Sequence, residues 1–197
     1  QDEAKEILRG VAQAQNEINK KGGVEQDGIR TLVRVQIAND DNDPETAQLI
    51  ANSFVDNSEI MGVVGHNSSS SSIAAAPIYQ QGGLVMISPT SVARELSRAG
   101  SYVFRTTPST RILAETLAQY AAKDIRRQKI VICLDSSSPA SISFKDEFSL
   151  SLYESGGEIA TVDCDFASEN FNPDEIPSKA IANGAEALLL IPSVNKI

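Results

Sequence analysis

The chain has 197 residues, of which 41% are hydrophobic and 22% are charged, a composition that indicates a globular protein rather than a disordered one. Seventeen basic and 26 acidic residues give a net charge of −9, and no basic stripe alternates with aromatic residues, so neither nucleic acid nor an anionic membrane surface is an expected partner. Apolar runs such as 130–134 are far shorter than the roughly 20 residues of a membrane-spanning helix.

The first half of the chain alternates between helical and extended patterns. Apolar residues recur at helical spacing through 2–20 and stop at two consecutive glycines, which predicts a helix and its C-terminal end. The alternating segment 31–37 predicts a strand. Asp43 and Pro44 then form an N-cap and a first-turn proline ahead of a helix to about residue 55. Three further strands are predicted at 61–64, 84–87 and 102–105, and a short helix is predicted at 72–80.

The second half continues this alternation and indicates the fold class. Helices are predicted at 110–125, 141–153 and 173–183, and strands at 129–134, 158–164 and 187–191. Strands that alternate with helices form parallel sheets that are covered by helices on both faces. We therefore predict an α/β protein with parallel strands.

The two cysteines give no evidence of a metal site. Cys133 and Cys164 lie inside predicted strands, far apart in sequence and without the spacing of metal ligands. Buried free cysteines behave as small hydrophobic residues. We therefore expect two buried free thiols.

Polar loops follow three of the predicted strands, at 65–72, 88–92 and 135–140. Open α/β sheets bind ligands beyond the carboxyl ends of their strands. The first loop runs through five serines into a predicted helix, whose N-terminal N–H groups favour a carboxylate or phosphate. A flexible serine linker or a set of redundant helix caps is the alternative. The apolar segments on both sides and the second hydroxyl-rich loop favour a binding site.

Four stretches carry a resemblance to one family. They are GVAQAQNEINKKGG, NDDNDPETA, VVGHNSSSSSIAAA with GLVMISP, and YVFRTTP. In this order and spacing they resemble the type I periplasmic solute-binding proteins, specifically the branched-chain amino-acid-binding group related to the ligand-binding domains of amino-acid receptors. The resemblance implies a two-lobed type I periplasmic-binding-protein fold with parallel sheets flanked by helices, incomplete at both ends. Lobe one would span 1–105 and the front part of lobe two 106–197, with a crossover near 105–109.

By this resemblance, the first polar loop and the start of the second supply ligand contacts. Ser69 matches the serine whose side chain holds the ligand carboxylate, and Ser68 and Ser70 flank it. Thr90 falls where a backbone carbonyl accepts from the ligand ammonium. His66 is expected to order the loop through its ring nitrogens or to line the pocket.

The sequence departs from the family at two places in the implied site. Val92 stands where the family usually has a threonine, so either Ser91 or Thr90 substitutes for its hydroxyl or the ligand is not a plain α-amino acid. Residues 136–140 lack the tyrosine-glycine pair of relatives, which leaves an aromatic wall of the pocket without a counterpart. By the resemblance, the acid that neutralises the ligand ammonium lies in a part of lobe two outside this sequence. Asp135 is the only nearby acid, and it either contacts the ammonium or caps the following turn.

The resemblance implies a periplasmic or extracellular protein that captures an amino acid or a small carboxylate. Its partner would be the membrane permease of an ABC-type importer. The alternative is the ligand-sensing ectodomain of a signalling receptor, with a signalling domain as partner, because both functions use the same closure of two lobes. A transmembrane helix or kinase-like domain after the second lobe would indicate sensing.

Enzymatic function is the weaker interpretation. His66 is the single histidine, and the sequence contains no GxSxG elbow, no GxGxxG after a strand, no GxxxxGK[ST] and no cluster with metal-ligand spacing. We predict a protein without catalytic activity, cofactor or metal. An α/β-hydrolase-like enzyme is the remote alternative.

The two ends of the chain do not match a complete sheet. A βαβ sheet opens on a strand, whereas this chain opens on a helix and ends soon after a strand. Unpaired strand edges would be covered either by residues outside this sequence or by a homodimer formed through the exposed edges. The alternative is a first helix that packs across an otherwise complete sheet.

Overall fold

The computed structural model describes residues 2–193, so the last four residues of the predicted second lobe, 194–197, lie outside the described residues. The chain divides into two compact units, Gln1–Asp41 and Asn42–Ile197. This division does not test the lobe boundary between residues 105 and 106, which stays a prediction.

The first unit contains helix α1 (Asp2–Lys20) and an antiparallel hairpin of strands β1 (Val24–Gln26) and β2 (Ile29–Thr31). The helix confirms the prediction for 2–20. The strand predicted at 31–37 is wrong beyond Thr31, because side chains of α1 satisfy the backbone there. The Val33 N–H donates to Asn19 Oδ1 at 2.8 Å, and the Val33 carbonyl accepts from Gln15 Nε2 at 3.0 Å.

The second unit begins with a parallel sheet, called here the first sheet. It consists of β3 (Gly62–Val64), β4 (Val85–Ser88) and β5 (Val103–Arg105) in that order. Helices α2 (Pro44–Val55) and α3 (Ser69–Gly82) pack against each other, and a 3₁₀ helix (Arg94–Arg98) precedes β5.

The start of α2 follows the predicted capping chemistry. The Asp43 carboxylate accepts from the Thr46 N–H at 2.7 Å, and Pro44 occupies the first turn. Buried residues of α2, α3 and β4 form the core beside this sheet, namely Ala47, Ala51, Ala75, Ala76, Tyr79 and Met86.

The second sheet is also parallel and has the order β7-β6-β8, with β6 (Lys129–Leu134) between β7 (Glu158–Ile159) and β8 (Ala187–Ile191). Its helices are α4 (Thr110–Gln119), continued by a π-helical turn (Tyr120–Asp124), α5 (Pro139–Glu154) and α6 (Ile176–Ala182). Alternate residues of β6 face opposite sides, because side chains alternate along a strand. Ile130 and Ile132 pack in the core that contains α4 and α5, and Val131 and Cys133 in the core that contains α6.

The predicted strand at 158–164 is shorter in the structure. The Ala160 N–H still bonds to the Ile130 carbonyl at 2.9 Å, but the Val162 N–H turns back to the Ala160 carbonyl. The chain rejoins the sheet through a parallel bridge between Leu134 and Asp165. The segment 158–165 therefore pairs with β6 near Ala160 and again at Asp165, and the pairing is interrupted between these two places.

The expectation of free thiols is wrong, because Cys133 and Cys164 form a disulfide. The Leu134 N–H bonds to the Cys164 carbonyl at 3.1 Å, which brings the two backbones together, and the Cα atoms of the cysteines lie 4.6 Å apart. The sequence did not reveal this pairing, because the two cysteines are 31 positions apart and are brought together only by the folding of neighbouring segments of one sheet.

Candidate functional site

The serine-rich segment is mostly helix and less loop than predicted. Helix α3 begins at Ser69, three residues before the predicted start, because the Ser68 hydroxyl caps it by accepting from the Ser71 N–H at 3.1 Å. The Ser68 hydroxyl also contacts the hydroxyls of Ser70 and Ser71 at 3.0 and 2.9 Å. The first turn of α3 thus lies directly at the carboxyl end of β3, where the prediction placed a ligand site.

The His66 carbonyl joins the two hydroxyl-rich loops. It accepts from the hydroxyls of Ser88 at 2.9 Å and of Ser72 and Ser91 at 3.3 Å. The Ser72 and Ser91 hydroxyls also lie 2.7 Å apart. Because all four residues are buried, these bonds fix the two loops against each other.

The His66 ring helps to order the first loop. Its Nε2 atom lies 3.1 Å from the Tyr79 hydroxyl, and the two rings stack with centroids 5.9 Å apart. Tyr79 is fully buried in α3. This contact matches the ordering role proposed from the sequence, and a role of His66 in ligand binding stays a prediction.

Two more contacts place the segment Thr90–Ala93 beside the start of α3. The Thr90 hydroxyl donates to the Asn67 carbonyl at 2.7 Å, and the Ser69 hydroxyl accepts from the Ala93 N–H at 3.3 Å. The Val92 carbonyl accepts from the Thr110 N–H at 2.9 Å. The structure therefore brings together seven of the eight predicted site residues: His66, Ser68, Ser69, Ser70, Thr90, Ser91 and Val92.

Arg105 holds this segment from the side of β5. Its Nη1 atom donates to the carbonyls of Val92 at 3.1 Å and Ala93 at 2.9 Å, and its Nη2 atom bonds to the Ser97 hydroxyl. Partial burial lowers the pKa of the Arg105 guanidinium, which nevertheless stays protonated as arginines do in proteins. Arg105 was predicted only as part of a strand and crossover. Its position here depends on contacts that no sequence motif signalled.

Asp135, the eighth predicted residue, lies at the carboxyl end of β6 in the second sheet. Its side chain is buried and accepts from the Ser137 N–H at 3.0 Å and from the Ser193 hydroxyl. The Ser137 contact caps the turn after β6, one of the two alternatives left open by the sequence, and the Ser193 contact ties this turn to the segment after β8. Its contact with a ligand ammonium stays a prediction.

A polar cleft of about 460 Å³ lies elsewhere in the second unit, between the 3₁₀ helix, α4 and α5. Its lining includes three arginines and three glutamates, among them the ion pair Arg94–Glu147 at 3.4 Å, and none of the eight predicted site residues. Because its charged groups balance one another, the cleft has no marked preference for an anion or a cation. The converging loops beside α3 are the stronger candidate.

Comparison with known proteins identifies the family. A family model described as "Periplasmic binding protein" matches residues 2–195. The chain belongs to this family. The leucine-specific-binding protein of Salmonella typhimurium is 38% identical over 129 residues, which are 65% of this chain and 34% of that protein. The Leu/Ile/Val-binding protein of Escherichia coli K12 is 36% identical over 129 residues, 64% of this chain and 33% of that protein.

Solved structures of the family confirm the predicted fold class. An ABC transporter substrate-binding protein from Desulfitobacterium hafniense, in complex with Leu, is 33% identical with a TM-score of 0.77, over 93% of this chain and 53% of its own. A branched-chain amino-acid transporter substrate-binding protein from Streptococcus pneumoniae, in complex with isoleucine, shares the fold at 21% identity with a TM-score of 0.78, over 93% of this chain and 51% of its own. The chain thus spans about half the length of these neighbours.

The family consists of binding proteins, in agreement with the weak case for an enzyme.

Within residues 2–193, no helix combines the length and hydropathy that a membrane crossing requires.

Proposed function

We propose that this protein captures a branched-chain or other small amino acid and delivers it to an ABC-type importer. The observation that carries the proposal is the convergence of the two hydroxyl-rich loops on the start of α3. Two relatives, named for binding leucine and for binding Leu/Ile/Val, support the choice of ligand. A permease of the importer would be the membrane partner.

The chemistry of the site suits a ligand carboxylate. The Ser69 hydroxyl stands at the first residue of α3, where N-terminal N–H groups and the helix dipole favour a negative charge. It accepts one hydrogen bond, from the Ala93 N–H, and its own proton is not used in that bond. Ser69 can therefore donate to a carboxylate without losing its contact with the second loop.

The direct test is isothermal titration of the full-length protein with leucine, isoleucine, valine, other amino acids and small carboxylates. We expect one of the amino acids to bind. The Ser69→Ala substitution should weaken that binding by about 1–3 kcal/mol, the usual loss for a hydrogen bond to a charged group. Ser178→Ala, at an exposed position of α6, is the matched control and should leave the affinity unchanged.

Two results would contradict this proposal in different ways. If no amino acid or carboxylate binds, the assignment of the ligand class is wrong. If an amino acid binds and Ser69→Ala has the same affinity, Ser69 is only part of the helix start and the carboxylate lies elsewhere.

The proposed location is periplasmic or extracellular. The disulfide between Cys133 and Cys164 supports it, because disulfides persist in oxidising compartments. A homodimer through exposed sheet edges remains part of the proposal, and light scattering of the purified protein at several dilutions tests it. The exposed side chains of Leu188 and Leu190 on β8 are the surface to examine first.

A further inference from the structure

Thr110 presents a buried hydroxyl group without a hydrogen-bond partner. Its side chain is 0% exposed, and among residues 2–193 only its Oγ1 atom and Asn67 Oδ1 are buried side-chain atoms without a partner. Most buried polar groups in proteins are satisfied, because an unpaired one costs stability. Such an exception therefore points to a group that the bound state supplies.

Thr110 lies next to the proposed binding loops. It is the first residue of α4, and its N–H donates to the Val92 carbonyl at 2.9 Å. Ser109, the residue before it, makes no side-chain capping bond, whereas Asp43, Ser68 and Ser138 cap α2, α3 and α5. The start of α4 thus combines an unpaired hydroxyl with a helix N-terminus that lacks a side-chain cap.

The hydroxyls of the second loop are already engaged with each other or with the backbone. Thr90 donates to the Asn67 carbonyl, and Ser91 bonds to Ser72 and to the His66 carbonyl. Val92 has no hydroxyl. Two hydroxyl protons beside this loop have no acceptor: that of Ser69, which only accepts, and that of Thr110.

These two hydroxyls stand at equivalent places on two helices. Ser69 begins α3 and contacts the N–H of Ala93, and Thr110 begins α4 and contacts the carbonyl of Val92, so they border adjacent residues. A carboxylate has two oxygens and accepts from two donors. Two helix N-termini that approach one segment also favour a single negative charge between them.

We propose that Thr110 contacts the ligand and that its hydroxyl, together with that of Ser69, binds the carboxylate of the captured amino acid. This inference rests on the proposed function and assigns a specificity-determining residue at the start of α4, the helix that precedes the second sheet. Because α3 beside the first sheet supplies Ser69 and α4, which precedes the second sheet, supplies Thr110, the carboxylate would join the two parts of the unit.

The test compares Thr110→Val, which keeps the shape and removes the hydroxyl, with Thr110→Ser, which keeps the hydroxyl. Leucine is the first probe, and isoleucine or valine replaces it if titration shows tighter binding. Thr110→Val should weaken binding about 10- to 100-fold, as expected for a lost hydrogen bond to a charged group. Thr110→Ser should stay within about threefold of the native affinity. The amide of the same amino acid keeps a carbonyl acceptor but carries no negative charge there, so Thr110→Val should weaken binding of the amide less than binding of the amino acid.

The melting temperature without ligand separates a binding role from a structural one. Because the hydroxyl has no partner within the described part of the protein, Thr110→Val should leave the melting temperature unchanged or raise it. A lower melting temperature would show that the hydroxyl has a structural partner, and this result would overturn the inference. Equal affinities of native protein and Thr110→Val for an amino acid would also overturn it while leaving the proposed function intact. A native protein that binds no amino acid or carboxylate would overturn both.

Discussion

Individual hydroxyl groups in the serine run have different hydrogen-bond roles, although the residues are chemically identical. Ser68 caps α3, Ser72 bonds to the His66 carbonyl, and Ser69 keeps a proton that can be donated to a ligand. The helix determines these roles, because consecutive residues on a helix point in directions about 100° apart. A run of identical residues can therefore provide structural and binding contacts at the same time.

Glu186 illustrates a charge whose role is structural. Its Oε2 atom accepts from the N–H groups of Gln128 at 2.6 Å and Lys129 at 3.3 Å at the start of β6. These backbone hydrogen bonds lower the pKa of the Glu186 carboxyl. A lowered pKa in the folded state means that ionised Glu186 stabilises the fold above the pKa of the unfolded chain, and that this contribution disappears as the pH falls through the lowered pKa.

We therefore predict that Glu186→Gln lowers the melting temperature at pH 7. The difference from native protein should begin to shrink as the pH falls below the ordinary glutamate pKa of about 4.3, where the unfolded chain takes up a proton, and should disappear once the pH has fallen through the lowered pKa of the folded protein. Thermal melts between pH 7 and pH 2.5 check this. Glu169→Gln, at another exposed glutamate, is the control. A difference that stays constant over the whole range would show that charge is not involved.

The helices could be predicted from the sequence more completely than the strands. Helix α1 matches its prediction, and the Asp43–Pro44 signal marks the start of α2, because capping chemistry is local. Strand formation depends on a distant partner. The alternating segment 31–37 does not form the predicted strand, since Val33 bonds to side chains of α1, and 158–164 leaves its sheet after Ala160.

The candidate site could be predicted from the sequence only in part, because some of its contacts form only in the folded protein. The general rule for α/β sheets pointed to the polar loops after the strands, and the family resemblance singled out Ser69 and Thr90 within them. Thr110 was not found, because its sequence context is that of an ordinary helix start. Its significance comes from the absence of a partner in the folded unit, which only coordinates reveal.

The contact between α2 and α3 depends on a glycine. A Cβ atom at Gly82 would lie 2.3 Å from Cγ1 and 2.7 Å from Cγ2 of Val55, far inside normal contact distances. We predict that Gly82→Ala lowers the free energy of unfolding by about 1–3 kcal/mol, the typical cost of overpacking. Urea denaturation measures the change.

Two variants distinguish overpacking from other effects of a substitution at Gly82. Gly10→Ala in α1, where an added Cβ meets nothing within 4 Å, should instead stabilise by about 0.5–1 kcal/mol through helix propensity. In the background of Val55→Ala, the substitution at Gly82 should cost less, because the clashing methyl groups are absent. An equal cost in both backgrounds would show that the clash is not its cause.

The second unit as a whole contains two parallel sheets, and the polar groups of the proposed site come from both sides of the crossover between them. Ser69 and Val92 belong to the part that contains the first sheet, and Thr110 begins the part that contains the second. A ligand held by both hydroxyls would stabilise one arrangement of the two parts. A change that destabilises the second sheet is therefore expected to lower the ligand affinity as well as the free energy of unfolding.

The disulfide is the strongest single constraint on the second sheet. It joins β6, the central strand, to the segment around Cys164, where the ordinary ladder is interrupted. Cross-linking residues 31 positions apart restricts the unfolded chain, and for a loop of this length the chain-entropy estimate is about 3–4 kcal/mol. Replacing both cysteines by alanine should lower the free energy of global unfolding by about this amount.

Denaturant titrations of native protein with and without a thiol reductant, and of the double variant, check this prediction. Reductant should shift the midpoint of native protein toward that of the variant and leave the variant unchanged. Because both cysteines are almost completely buried, the shift should develop only as fast as the chain opens, whereas an exposed disulfide would be reduced within the folded protein. If reductant has no effect on native protein at any denaturant concentration at equilibrium, the cysteines are the free thiols that their sequence context first suggested.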